Sequence, residues 1–431
     1  MRRAIYGGGL LASVGNFTME NAADPTVSID EDDIQDWDFD ETDNRNGIAT
    51  ITITGGIIGN LNADGTLING GGRPGYNNGH VYGSGCGMVA DALAHDQQYS
   101  QMGYVYRSRV NISQASADQP TIIRGSVFGS GENGHVWEDT HVNISGGTIG
   151  AERNTTTDTD QHRFLGNVYG SGRDVDHTAE GALTHISRSA GKVQGNTHID
   201  ISGGTIWNDV YGGGSMASIG DSDEQKGEVT SEHPFGYSTG TASVTVRGTT
   251  EVHGSVYGSG RGIASTNPDY QQAAFIKNSD VRILGSAHIY NNVYGGGNAA
   301  STPATQIDIN GTYEIEEVFG GGNGKDDISL DGGTTMRPNP GANVGYTNYS
   351  VYAIGDGGTL VVRDSVDALT PEARAQNFQY GSGQARVNIH GGRIHRVYGG
   401  SNTKGNVRHA ALTMLEETKK TDGEQEVPAE P

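Results

Sequence analysis

VYGGGNAASTPATQIDINGTYEIEEVFGGG, residues 293–322, holds one full period of this chain. It opens on VYGGG at 293–297 and closes on VFGGG at 318–322, a step of 318 − 293 = 25 residues. Inside it, Ile307 and Ile309 alternate with Asp308, the period-2 pattern of a strand buried on one face, and Ile315 adds one apolar residue after a glycine turn. Three short extended pieces and their corners use about 25 residues, which suits one coil of a parallel β-solenoid and is too short for a propeller blade of about 40–45.

The motif recurs nine times: IYGGG at 5–9, VYGSG at 81–85, VFGSG at 127–131, VYGSG at 168–172, VYGGG at 210–214, VYGSG at 256–260, the two copies above, and VYGGS at 397–401. Alternating strands ending in glycine precede most copies, among them ATITITGG, HVNISGGTI, HIDISGGTI, ASVTVRG, DVRILG and ARVNIHGGRI. The expected fold is all-β, a parallel β-helix, right-handed, of about nine coils over residues 1–409. Longer steps, such as 127 − 81 = 46 and 168 − 127 = 41, place polar inserts at 18–46, 86–106, 151–163, 219–240 and 331–385. The last contains a capped helix candidate at Thr370-Pro371-Glu372-Ala373. Glycine at the corners is expected to supply positive φ where units stack about 4.8 Å apart.

The ring of each motif (Tyr6, Tyr82, Phe128, Tyr169, Tyr211, Tyr257, Tyr294, Phe319 and Tyr398) should stack on the next. A sugar-binding strip is the alternative use of such a column. A structural stack is preferred, because every unit carries the ring whatever its insert.

Glycine, 69 of 431 residues, follows the repeat and so marks corners, not disorder. No apolar run reaches eighteen residues, which excludes a helical membrane span. A net charge of −23 disfavours nucleic acid and anionic membrane surfaces as partners. Cys86, the sole cysteine, permits no internal disulfide, and no base adjoins it in the sequence to activate its thiol.

At the N-terminus, IYGGGLLASVGN parallels VYGGGSMASIGD at 210–221, so the chain reads as starting inside a repeat, as a fragment of a longer protein would, without a signal peptide. At the other end, residues 410–431 read as a helix-compatible segment with a polar tail, the segment being equally compatible with a strand of a further repeat.

The V-x-I-x-G-G strands, the repeated VYGGG and VFGGGN, and the closing VYGGSNTKGNVR together resemble the long, glycine-rich, adhesin-like surface proteins of Gram-negative bacteria that carry parallel β-helix passengers. The resemblance covers roughly residues 1–409 and implies a cell-surface or extracellular location and a host or polysaccharide surface as ligand. It is specific for architecture and weak for activity, because such folds host both adhesins and polysaccharide-cleaving enzymes.

Candidate chemistry is sparse. GGNGKDDIS at 321–329 matches one calcium nonapeptide, with Asp326 and Asp327 as candidate calcium ligands, but one copy supplies half a site. DEDDIQDWDFDETD at 30–43 has nine carboxylates in fourteen positions without an EF-hand's glycine and terminal glutamate, and reads as a solvated acidic insert. GSGRDVDH offers Arg173, Asp174, Asp176 and His177, with Arg261 at the equivalent position of a later unit. A lyase or hydrolase would need such groups to converge on one groove, and surface loop residues explain them more simply. Ser238 in GYSTG lacks a strand-turn-helix setting, and His390 and His395 flank GGRI without an H-E-x-x-H motif. The reading is a non-enzymatic adhesin-like stalk or binding rod, no catalytic residues and no cofactor beyond that calcium candidate being expected, with a β-helix carbohydrate-active enzyme as the alternative.

Overall fold

The computed structural model describes residues 4–15, 17–19, 34–37, 47–61, 79–87, 103–152, 165–173, 191–220, 240–262, 274, 276, 278–300, 302–324, 328–329, 336–337, 344, 352–354, 360–362, 383–402, 407 and 409–414. Among them every regular element is a strand. Twenty-one strands belong to one open sheet whose pairings are all parallel, and three small antiparallel ribbons lie apart from it.

Three ladders build that sheet. The alternating strands pair in sequence order: Ile48–Ile53, Arg107–Ile112, Thr140–Ile149, Thr197–Ile206, Thr241–Val246, Asn278–Leu284, Ala304–Asn310, Gln384–Gly391 and His409–Met414. Their register keeps like residues together, Ile51 on Val110, Val142, Ile199, Val244, Val281, Ile307 and Val387. A short ladder aligns Ile58, Ile123, Ile149, Ile206, Val252, Ile289, Ile315 and Ile394. The third aligns the nine motifs, Ile5 on Val81, then valine on valine, and ring on ring throughout. Pairing each segment with its equivalent one repeat on is the pattern a parallel β-solenoid requires.

Inward residues of all three ladders merge into one aliphatic core. Burying each Ile or Val contributes about 1.5–3 kcal/mol. The motif ring points away from its valine and joins a separate core of rings. All nine stack in order, at centroid separations from 4.7 Å for Tyr82–Phe128 to 5.1 Å for Tyr294–Phe319.

The motif's first glycine is needed for a reason other than positive φ. None of Gly83, Gly129, Gly170 or Gly212 has φ in the left-handed region. A Cβ on Gly83 would stand 2.1 Å from the Gly129 carbonyl oxygen, and one on Gly129 2.1 Å from that of Gly170. That oxygen is also fixed across the interior, since Thr140 Oγ1 donates to Gly170 O at 2.6 Å and Thr197 Oγ1 to Gly212 O at 2.6 Å. Positive φ instead marks the corner beside the short ladder, at Gly59, Gly79, Gly150 and Gly166.

The ends of the chain follow the repeat. Ile5 and Tyr6 pair with Val81 and Tyr82, while Leu10 and Val14 bridge Cys86 and Val105, so residues 5–14 occupy the positions that 210–219 occupy later. Of the two readings of the segment from 410, helix or strand of a further repeat, His409–Met414 is a strand: Ala410 pairs with Ala385 and Leu412 with Val387. Its alternation continues the ladder, which offers an unpaired edge that no helix could satisfy. Residues 415–431 and the helix candidate at 370–373 lie outside the described residues.

Insert boundaries also shift. The stretch 86–106 includes Cys86 and Val105, 219–240 includes Ile219, and 331–385 includes Val344 and the strand start at Gln384, all of which bridge or pair within the frame. A single corner valine carries no periodic signal, which is why these frame residues read as insert.

Two outcomes test the ladders. Removing 293–317 should leave a folded β-rich protein because Val318 takes the place of Val293, whereas removing 305–317 should abolish the cooperative melt. Circular dichroism separates the two, and equal damage would contradict the register. Ile201 is fully buried and Asp200 pairs with Arg247 on the surface, Nη2 to Oδ2 at 2.8 Å. Ile201→Asp should therefore cost several kcal/mol, against about 0.2–1 kcal/mol for Asp200→Asn, measured by denaturant unfolding.

Candidate functional site

The residue after each motif forms a fourth row: Leu10, Cys86, Glu132, Arg173, Ser215, Arg261, Asn298, Asn323 and Asn402, joined by single bridges, which from Cys86 and Arg173 run to Asn133 and Met216, the residues after Glu132 and Ser215. This row faces the ring core, and its chemistry follows the rings two units earlier. Asn298 Nδ2 donates to the Tyr211 hydroxyl at 3.2 Å and Asn402 Nδ2 to that of Tyr294 at 3.1 Å. Asn323 reaches the Tyr257 hydroxyl at 3.5 Å. The Tyr6 hydroxyl donates to Glu132, and the guanidinium groups of Arg173 and Arg261 lie beside the hydroxyls of Tyr82 and Tyr169. Phe128, which has no hydroxyl, is matched two units on by the short Ser215.

Arg173 and Arg261 are thus interior residues, 3% and 7% exposed, and not the rim of a basic groove. Glu132 neighbours Arg173 in this row and is 2% exposed, while Asp209 supplies negative charge near Arg261. Asp209 is itself held by the Tyr211 hydroxyl at 2.8 Å and the Ser255 amide at 2.8 Å. Burial, reinforced by Glu132, pushes the Cys86 thiol up to about 11, so it stays protonated at neutral pH and is a poor nucleophile. His80 is buried, its Nδ1 accepting from the Ser126 amide at 2.8 Å, and burial lowers it to about 3, a neutral core histidine.

The outer faces carry what a partner can touch. Directly after the short-ladder residues stand Trp207, His253 and Tyr290, stacked at 4.0 and 4.2 Å. His288 packs on Tyr290 at 3.8 Å and on the 55% exposed Tyr313 at 4.7 Å. Gly150 precedes Trp207 in this column, so among the described residues no ring covers the indole from that side. Next along the column, His395 Nε2 lies 2.7 Å from Glu314 and Arg396 Nη2 3.2 Å from Glu316. The carboxylate of Glu314 holds the His395 imidazole above its ordinary range.

On the long ladder, the outward rings of His141 and His198 stack at 4.8 Å as register partners. Asp139 approaches them, its Oδ2 lying 4.0 Å from His198 Nε2. One donor atom from each of these three side chains falls within 4.8 Å of the others. The Asp139 carboxylate is anchored through Oδ1, which accepts from the Asn196 amide at 2.7 Å and from its Nδ2 at 3.3 Å.

Asp326, Asp327, Asp174, Asp176, His177 and Ser238 lie outside the described residues. Of the acidic insert, Ile34–Trp37 forms an antiparallel ribbon with Phe17–Met19. His390 and His395 sit on the outward side of the last units and share no cluster. Sequence reading missed the Trp207 column and the Asp139 cluster, because each requires knowing which positions of different repeats share register.

Comparison with protein-family models, curated proteins and solved structures yields no match.

The ring-to-row rule makes a double-variant prediction. Arg261→Ser should destabilise by about 3–5 kcal/mol, leaving buried partners uncompensated. Adding Tyr169→Phe, which recreates the Phe128–Ser215 pairing, should recover about 1–3 kcal/mol. Strict additivity in urea unfolding would show that the two side chains are independent.

Proposed function

We propose that the chain is a right-handed parallel β-helix of about nine coils that acts as a non-enzymatic, adhesin-like binding rod at the cell surface or outside the cell. The observation that carries this reading is the contrast between frame and inserts. Ladder register is kept from unit to unit, while stretches of very different length, 88–102, 174–190, 221–239, 263–273 and 345–382, all leave after the motif and rejoin before the next long-ladder strand. A rigid frame with variable segments branching at its corners is how scaffolds present binding loops.

Charge placement supports the same reading. Several outward carboxylates of the described residues are occupied by cations: Asp200 by Arg247, Asp280 by Arg282, and Glu314 and Glu316 by His395 and Arg396. Acid–base hydrolysis needs two carboxylates converging on one substrate, and these are spread along flat faces. The ligand class proposed is a host or bacterial polysaccharide surface, for which the exposed ring edges of the Trp207 column offer secondary contacts.

Replacing 345–382 by a short glycine-serine bridge, with Val344 and the Gln384–Gly391 strand kept, should leave the β signal and melting temperature nearly unchanged and weaken retention on immobilised polysaccharide or host-cell surfaces. Turnover of an acidic polysaccharide by the purified chain, lost in Asp174→Ala or Asp176→Ala with the fold preserved, would overturn the proposal in favour of a carbohydrate-active enzyme.

A further inference from the structure

We propose that Asp139, His141 and His198 form a binding site for a divalent transition-metal ion of the zinc, cobalt or nickel kind. Two imidazoles and one carboxylate are the donor set such ions select, whereas calcium and magnesium prefer all-oxygen shells. The backbone brings them together by register alone. His141 and His198 are paired positions on adjacent long-ladder strands, and Asp139 lies just before the first of these strands.

Two further observations favour a site over a chance cluster. First, the carboxylate is preorganised: Asn196 holds Oδ1 through both its amide and its side chain, leaving Oδ2 on the His198 side. Such outer hydrogen bonds are what orient ligands in metal centres. Second, the neighbouring charges are arranged around it. Arg107 is engaged by Glu138, Arg109 flanks His141 on the side away from His198, and the uncharged Ser243 flanks His198 on the other.

The fit requires a modest closure. Bonds of about 2.0–2.2 Å place tetrahedral donors roughly 3.4 Å apart. The present donors lie within 4.8 Å of one another, and the two rings stack with their centroids 4.8 Å apart. Rotation of the His198 side chain, 43% exposed, covers that difference without moving the sheet. Three protein donors leave a fourth position for water, the open arrangement of a reactive or exchangeable centre and not of a closed structural one.

The test is a Co²⁺ titration of the full chain followed by visible absorbance, with Zn²⁺ as competitor. The expected result is one equivalent giving the intense d–d bands of low-coordinate cobalt, displaced by zinc, with affinity reduced at least tenfold in His198→Ala and in Asp139→Asn and unchanged in His253→Ala. Imidazole NMR signals of the unaltered protein provide a readout independent of folding in the variants: those of His141 and His198 should shift first among the fourteen histidines. Cobalt bound with unchanged affinity by a His141→Ala/His198→Ala double variant, a spectrum of the hydrated ion alone, or earlier shifts at other histidines would each overturn the site.

Discussion

Everything in this structure depends on how closely successive repeats approach. Parallel ladders set a separation near 4.8 Å, and at the motif's first glycine the next unit's carbonyl oxygen stands where a Cβ would be, 2.1 Å away at Gly83 and Gly170. No side chain can be accommodated there without parting the ladder. The same oxygen accepts a hydroxyl from the long-ladder strand opposite, so one atom ties two faces of a unit together and limits its distance to the next. Stacked rings at 4.7–5.1 Å then follow as a consequence of the spacing, and their attraction adds to a separation the backbone has already chosen.

The interior row beside the rings shows how the frame tolerates polarity. A tyrosine hydroxyl buried without a partner costs about 1–3 kcal/mol, and each described tyrosine of the stack from Tyr6 to Tyr294 has a polar residue two units ahead. Where the hydroxyl is missing, at Phe128, the polar group is a serine too short to need it. Two arginines and a glutamate enter the core on this basis in a chain whose surface is strongly acidic. Buried charge is weak evidence of stability but a strong constraint on register, because sliding one unit would set Arg261 against Phe128 or Tyr211 alone.

Much of the frame was legible in the sequence because each repeated position has one job. Alternation at Ile307 and Ile309, the single Ile315 and the VYGGG motif name the three ladders, and the 25-residue step gives their order. What was not legible falls where the period is silent. Val105, Ile219 and Val344 are solitary corner residues, so the inserts seemed longer than they are. Arg173 and Arg261 read as surface groups because charge after a glycine corner usually faces water, and only the ring two units away reveals why they are inside. The strand at His409–Met414 was obscured by alanines that suit a helix equally well.

The same stacking rule governs the outside of the molecule. Each outward column offers one side chain per unit at a spacing close to the thickness of a ring pair, so neighbouring residues in a column must either stack, pair or repel. Asp200 with Arg247 and His395 with Glu314 are pairs across units, and Trp207, His253 and Tyr290 are a stack. Function on such a frame therefore arises between repeats: no single unit contains both His141 and His198, yet the register that buries Val142 on Ile199 places the two imidazoles together. A substitution on one outward position changes the environment of the residues above and below it while leaving the core untouched. New sites can thus be assembled on an unaltered core by changing two residues one repeat apart.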